Sequence, residues 1–292
     1  MSALSLPAER PAEAVRAVES AVDAALIRRR RRNLQVQVLR VLLALVLVGG
    51  WELGARTKVI DPFFWGQPSG IAAQIWTWIT EGTSTGPLWE QIAVTMEETV
   101  LGFAIGVVLG VVCGIVLGRN RFLADVLSPY IKAANSIPRV VLGSIFVIAL
   151  GLGIQSKVAL AVVLVFFIVF FNAFQGVREV DRNLLANARI LGADGRRLTT
   201  EVIIPSALSW IMASLHVSFG FALVGAVVGE YLGSLQGVGL MIVTAQNTFN
   251  ANGVFAAIVI LATLALVAEA LVTAVENRLV RWRPNTVTDV TI

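Results

Sequence analysis

The chain has 292 residues, 57% of them hydrophobic and only 14% charged, and a mean hydropathy of +0.79. A water-soluble domain of this length needs more polar surface than that, so lipid is its natural solvent. The formal charge of +4 and the pI near 9.8 would point to nucleic acid only with a basic patch and interleaved aromatics; neither is present, and nucleic acid is excluded as a partner. One cysteine and one histidine exclude an intramolecular disulfide and a zinc site, and no other metal or cofactor site is expected in the chain.

Residues 1–33 form a basic arm ending in Arg28, Arg29, Arg30, Arg31 and Arg32. The apolar run that follows, 34–54, is too long for a signal-peptide core and lacks a small-residue cleavage site, so it reads as a retained first span. Further spans are expected at 99–118, 139–154, 158–173, 206–232 and 253–275, each near the length that a bilayer core demands. Segment 55–98, rich in Trp65, Trp76, Trp78 and Trp89, reads as an external stretch with interfacial helices. Residues 122–138 read as a membrane-edge helix that bends at its prolines before the third span. Basic loops alternate with base-poor ones: 119–121 and 174–205 carry arginines, whereas 233–252 carries no Lys or Arg. By the positive-inside rule both termini, including the tail 276–292, are cytoplasmic. The expectation is an all-α membrane protein of six transmembrane helices with its core over 99–275.

Inside the second span Gly102, Gly106, Gly110, Gly114 and Gly118 recur every four residues. This stripe lets a neighbouring backbone approach closely. Four residues overshoot a 3.6-residue turn by about 40°, so the stripe should wind around its helix and meet one partner at a steep crossing, or two in succession.

In the loop 174–205, Leu184, Leu185, Ala188 and Leu191 recur at helical spacing, with Arg182, Arg189 and Arg196 on the opposite side. This predicts a short amphipathic helix that breaks near Gly192 or Gly195 and leads into the next span at Pro205. Periodicity leaves two roles open: a basic face against lipid headgroups, or a docking element for a soluble subunit.

The segment Ala186-Asn-Ala-Arg-Ile-Leu-Gly192, followed nine residues later by Val202-Ile-Ile-Pro205, resembles the E-A-A-x3-G-x9-I-x-L-P loop of binding-protein-dependent ABC importer permeases. Gly192, Pro205 and Ala188 match; Ala186 stands where that motif has its glutamate, and Asn187 where it has its first alanine. Leu117-Gly-Arg-Asn-Arg121, Leu127-Ser-Pro129, Ile137-Pro138, Gly151-Leu-Gly-Ile154, Gly176-Val-Arg-Glu-Val-Asp181 and Gly229-Glu-Tyr-Leu-Gly233 are similar to the branch importing nitrate, sulfonates, taurine and related small solutes. The resemblance spans roughly residues 88–275; Ser209 and His216 depart from that branch's usual proline and arginine.

The resemblance implies a type I importer permease bundle with a cytoplasmic coupling helix. It implies a homodimer in the bacterial inner membrane, two ABC ATP-binding subunits that bind ATP and Mg, and a periplasmic or lipid-anchored solute-binding protein. Arg182, Ala186, Ala188, Arg189, Gly192, Asp194, Arg196 and Pro205 would then face the ATPase. His216, Glu230 and Tyr231 are candidates for the translocation path or its gate. No phosphate-binding G-x-x-x-x-G-K-[ST] motif occurs, nor any set of catalytic residues, so the chain reads as no enzyme. The alternatives are an ion-coupled secondary transporter and a membrane scaffold or sensor. The charges Arg40, Glu230, Glu269 and Glu276 fall near expected span ends, and no intramembrane acid–base pairing is expected, which argues against the former.

Overall fold

The computed structural model describes residues 11–279; side chains are described over 28–274, with Arg182 excepted. Among these the structure is helical, with a single isolated β-bridge between Thr83 and Gly86. Two compact units divide at Ser69 and Gly70.

In the first unit, helix α1 (Pro11–Arg56) runs unbroken from the basic arm through the first span. Its stretch Arg28–Arg56 is long and apolar enough to cross a membrane. After α1 come the single turn α2 (Pro62–Trp65), capped by Asp61, and the start of α3 (Pro68–Thr80). The Glu52 carboxylate near the end of α1 accepts from Arg56 Nε (2.6 Å), Gln67 Nε2 (2.8 Å) and the Ser69 N–H (3.0 Å). One acid thus caps the opening turn of α3 and ties it to α1.

The second unit is built on α4 (Leu88–Arg119), α7 (Ile154–Arg178) and α10 (Ile204–Leu232). One partner takes the whole glycine stripe of α4. A Cβ at Gly106 would lie 2.7 Å from Val165, at Gly110 2.8 Å from Val169, at Gly114 2.6 Å from Ala173 and at Gly118 2.8 Å from Val177, while Gly102 faces Ala161. The partner row on α7 is itself spaced by four. Both rows therefore drift in the same sense, and the helices stay in register by winding about each other. No second partner is needed. On its other side α7 receives Gly225 against Ala161 and Gly229 against Lys157, and its own Gly176 meets Ala207. Small residues on both faces hold α7 at the centre of a close-packed trio.

These registers also fix direction. Rising numbers on α4 meet rising numbers on α7, so the two run parallel; rising numbers on α10 meet falling numbers on α7, so that pair is antiparallel. Parallel α4 and α7 require an odd number of crossings between them. The only intervening helices are α5 (Arg121–Ser136) and α6 (Arg139–Leu150), which meet at an 86° bend. The pair makes one crossing. The third span, expected as an uninterrupted 139–154, is instead a helix of 12 residues, about 18 Å long and too short alone for a ~30 Å hydrocarbon core. Pro138 explains the break: it lacks an N–H and forces Ile137 into an extended conformation (φ −68°, ψ 130°). Among the described residues five helices are long and apolar enough to span, or six crossings with the bent pair taken as one.

The second span also begins earlier than expected, at Leu88. Gln91, Thr95, Glu98 and Thr99 lie within α4 and are buried along one face. Gln91 and Thr95 resemble a loop in the sequence because their hydrogen-bond partners come from elsewhere in the chain. Helices α11 (Val238–Asn247) and α12 (Ala251–Leu279) complete the unit and pack together around Val238, Met241, Ala257 and Ile260.

Candidate functional site

At the end of the bundle where α4 and α7 finish and α10 begins, the chain forms helix α8 (Arg182–Ile190). The Asp181 carboxylate opens it by accepting from the Asn183 N–H at 2.8 Å. A Schellman turn closes it: Gly192, at φ +87°, donates to Arg189 O, and Ala193 N–H reaches back to Ala188 O. No heavy atom lies within 4 Å of a Cβ built at Gly192, so its constraint is conformational rather than steric.

Leu185 and Ala188 seat α8 against the buried cluster of Val177, Val180, Leu198, Ile203, Ala207 and Ile211. The opposite surface is open, with Ile190 82% and Leu191 87% exposed, Leu184 half-exposed, and Ala186 and Arg189 also outward. Leu184 and Leu191, expected in the seat, are therefore on the free face. Arg196 does not continue the face of Arg189, because Gly192 turns the chain and Arg196 falls in the following turn α9 (Gly195–Arg197). The Arg182 side chain lies outside the described residues. Asp194 is committed locally, accepting from the Arg197 N–H at 2.7 Å.

From α9 the chain passes through a π-helical turn, Leu198–Ile203, straight into α10, with Pro205 in its first turn. The wider i→i−5 turn is closed by Ile204 N–H on Thr199 O and lets a helix accept a proline without a break. Arg119 at the end of α4 donates to Gly195 O at 3.2 Å. The loop is thus joined rigidly to α10 and held to the end of α4.

At the opposite end, Gln91, Thr95, Glu98, Lys157 and Glu230 are all buried. The Glu230 carboxylate accepts from Thr95 Oγ1 (2.6 Å) and from the Gly239 N–H (2.6 Å). Thr95 Oγ1 accepts from the Val238 N–H (2.9 Å), and Gln91 Oε1 from the Gly237 N–H (2.8 Å). These three donors are the opening N–H groups of α11, so Gln91, Thr95 and Glu230 together act as its N-terminal cap. A Cβ at Gly237 would run into the Glu230 carboxylate, and one at Gly239 would stand 2.5 Å from Val227 O. Lys157 Nζ donates to Leu152 O (2.6 Å) and Gly153 O (3.1 Å), folding back on the loop that opens α7.

Two sequence-based expectations are corrected here. Glu230, expected as part of the path or its gate, is instead enclosed beneath α11. The bundle also gathers an acid pair and a base, Glu98, Glu230 and Lys157, where no such grouping was expected, because residues distant in sequence meet only when α4, α7 and α10 pack. Tyr231 points elsewhere, half-exposed, with its hydroxyl donating to Gln246 Oε1 at 3.0 Å. His216 is separate again: its Nδ1 lies 2.7 Å from Glu269 Oε1, linking α10 to α12. His216 lies twelve residues from the start of α10, about 18 Å along it, while Glu269 stands five residues before the end of the span Ala251–Ala274, near a span end as expected. Of the three candidate path residues, only His216 and Tyr231 keep exposed surface. The Glu276 side chain lies outside the described residues.

The profile of the family described as binding-protein-dependent transport system inner membrane component matches residues 106–281, more than half of the chain. The chain belongs to this family. It is a permease subunit of an ABC importer, a multi-pass inner-membrane protein that works with ATP-binding subunits and a binding protein. This permease is 29% identical to the putative aliphatic sulfonates transport permease protein SsuC of Bacillus subtilis, over 83% of the chain and 87% of that protein. It is 32% identical to the riboflavin transport system permease protein RibX of Chloroflexus aurantiacus, over 84% and 89% respectively, and 27% identical to the taurine transport system permease protein TauC of Escherichia coli, over 81% and 86%. The inward-facing MetNI methionine ABC transporter superposes on 66% of the chain and 93% of the solved one, with a TM-score of 0.52 at 21% identity, which establishes the type I importer permease fold.

Proposed function

We propose that α8 and the turn after it dock on the ATP-binding subunit and transmit its closure to the membrane through α10. The carrying observation is the pairing of an anchored face, Leu185 and Ala188, with a free face bearing Leu184, Ile190 and Leu191. Apolar residues this exposed on a short polar loop mark a surface awaiting a partner. The unbroken passage from Leu198 through Pro205 would carry a displacement of α8 into α10 as a rigid body, and Arg119 would bring α4 along. Arg189 and Arg196 supply outward charge for the partner, as would Arg182; Ala186 leaves the acid of the usual motif missing.

In this reading both termini and α8 are cytoplasmic, two copies of the permease enclose one path, and two ATP-binding subunits hold the ATP and Mg. The base-poor end with α11 then faces the binding protein. No covalent chemistry occurs in the chain. The solute is a small one, of the sulfonate, taurine or flat heterocycle kind that the relatives' names carry. His216 and Glu269 are the polar groups of the path, and the enclosed Glu230 is scaffold.

Two measurements test this. An engineered cysteine at Ala186 should react with a membrane-impermeant thiol reagent only from the cytoplasmic side; efficient labelling from outside would overturn the orientation. Gly192→Val forces a branched residue to φ +87°, a strain of about 1–2 kcal/mol per residue, and should leave ATP hydrolysis running with uptake lost. Normal uptake by that variant would count against docking at α8.

A further inference from the structure

Helix α5 lies nearly at right angles to α6, at the same end of the bundle as α8, because it follows directly on α4. It roofs a cavity of about 200 Å³ against α7. The floor is apolar and aromatic: Phe170, Phe171 and Phe174, with Leu117 and Ala124 at the side. The rim is polar, with Lys132 and Ser128 from α5 and Arg178 from the end of α7. Asp125 also lines it, and lies 4.0 Å from Arg121.

Lys132 and Arg178 are exposed, while Phe170 is buried and Phe171 faces outward. The Arg178 guanidinium sits 4.5 Å from the Phe174 ring centroid, a cation–π placement that holds it at the rim. The apolar residues of α5 are displayed as well: Phe122 and Tyr130 are largely exposed. Set at 86° to α6, with exposed aromatics and a basic edge, α5 brings the polar end of the bent crossing to the headgroup level.

We propose that this cavity binds an anionic phospholipid. The headgroup phosphate sits between Lys132, Arg178 and the Ser128 hydroxyl, and the acyl chains run out over Phe171. Charge complementarity selects the ligand: two cations at a rim where Asp125 faces Arg121 leave a net positive site, and the phenylalanine floor leaves no polar partner for a soluble anion's remaining oxygens. The volume suits a phosphate and its glycerol. The orientation proposed above decides only which leaflet supplies the lipid. Because α7 carries both this floor and the stripe packed on α4, a lipid here steadies the helix from which the coupling loop departs.

The test uses the full-length permease with its ATP-binding subunits in lipid discs of equal parts phosphatidylcholine and phosphatidylglycerol, with retained lipid measured by native mass spectrometry. Phosphatidylglycerol should be enriched. Lys132→Gln and Arg178→Ala should each lower that preference about fivefold, the worth of one basic residue near an anionic membrane surface. Phe171→Ala should lower retention of the lipid as a whole. Lys132 is exposed, so its variant reports even if Arg178→Ala disturbs packing against Phe174. Equal retention of both lipids, an unchanged preference in Lys132→Gln, or release of the lipid when the ATP-binding subunits assemble would overturn the proposal. Displacement by inorganic phosphate with no effect of Phe171→Ala would reassign the site to a free anion and overturn it equally.

Discussion

Gly110→Ala probes the packing on which the permease core rests. The added Cβ would stand 2.8 Å from Val169 Cβ and 3.0 Å from both Phe166 O and Phe170 N. Carbon atoms are comfortable at about 3.5–4.0 Å, so α4 must move outward by roughly 0.5–1 Å. Two of the obstructing atoms are backbone and cannot rotate away. Neighbouring glycines at 106 and 114 are equally tight, so the displacement spreads along the stripe. Overpacking of this kind costs about 1–3 kcal/mol, or a fall in melting temperature of roughly 2–12 °C at ~2–4 °C per kcal/mol. The control is Gly220→Ala on α10, where no heavy atom lies within 4 Å of a new Cβ; it should be neutral or slightly stabilising, since alanine is the better helix former. Thermal unfolding of the purified permease in detergent, followed by fluorescence, measures both. Equal melting temperatures for the two variants would refute the claim that α4 and α7 are held by backbone proximity.

Gly237→Ala drives a methyl into the Glu230 carboxylate and should detach α11 from its cap, raising amide exchange across 238–247 at least tenfold (about 1.4 kcal/mol); unchanged exchange there would sink the capping account. His216→Ala should alter uptake while ATP hydrolysis in the assembled transporter stays within about twofold, and Glu269→Gln should reproduce it, because the two share one hydrogen bond; transport indistinguishable from the parent in both would remove the pair from the path.

The helical spans were legible because runs of apolar residues near bilayer length have no alternative in lipid. The α8 boundary was legible too, since Gly192 carries a left-handed turn that other residues resist. Gln91 and Thr95 read as external loop residues because their partners, the opening N–H groups of α11, lie far away in sequence. The glycine stripe announced close packing but not its partner: Ala161, Val165, Val169, Ala173 and Val177 are unremarkable apolar residues until their own spacing of four is set beside it.

Composition and spacing by themselves therefore determined the solvent, the helical class, the number of crossings and the place of the loop helix. Each of these follows from local properties: hydropathy over one span, the φ of one glycine, the missing N–H of one proline. Tertiary structure alone decided that α4 and α7 run parallel in one seam, that α5 and α6 share a single bent crossing, and that Glu230 caps α11 instead of meeting water. Those outcomes depend on which faces meet, and a buried polar side chain finds its hydrogen bonds only once the helices that supply them have packed.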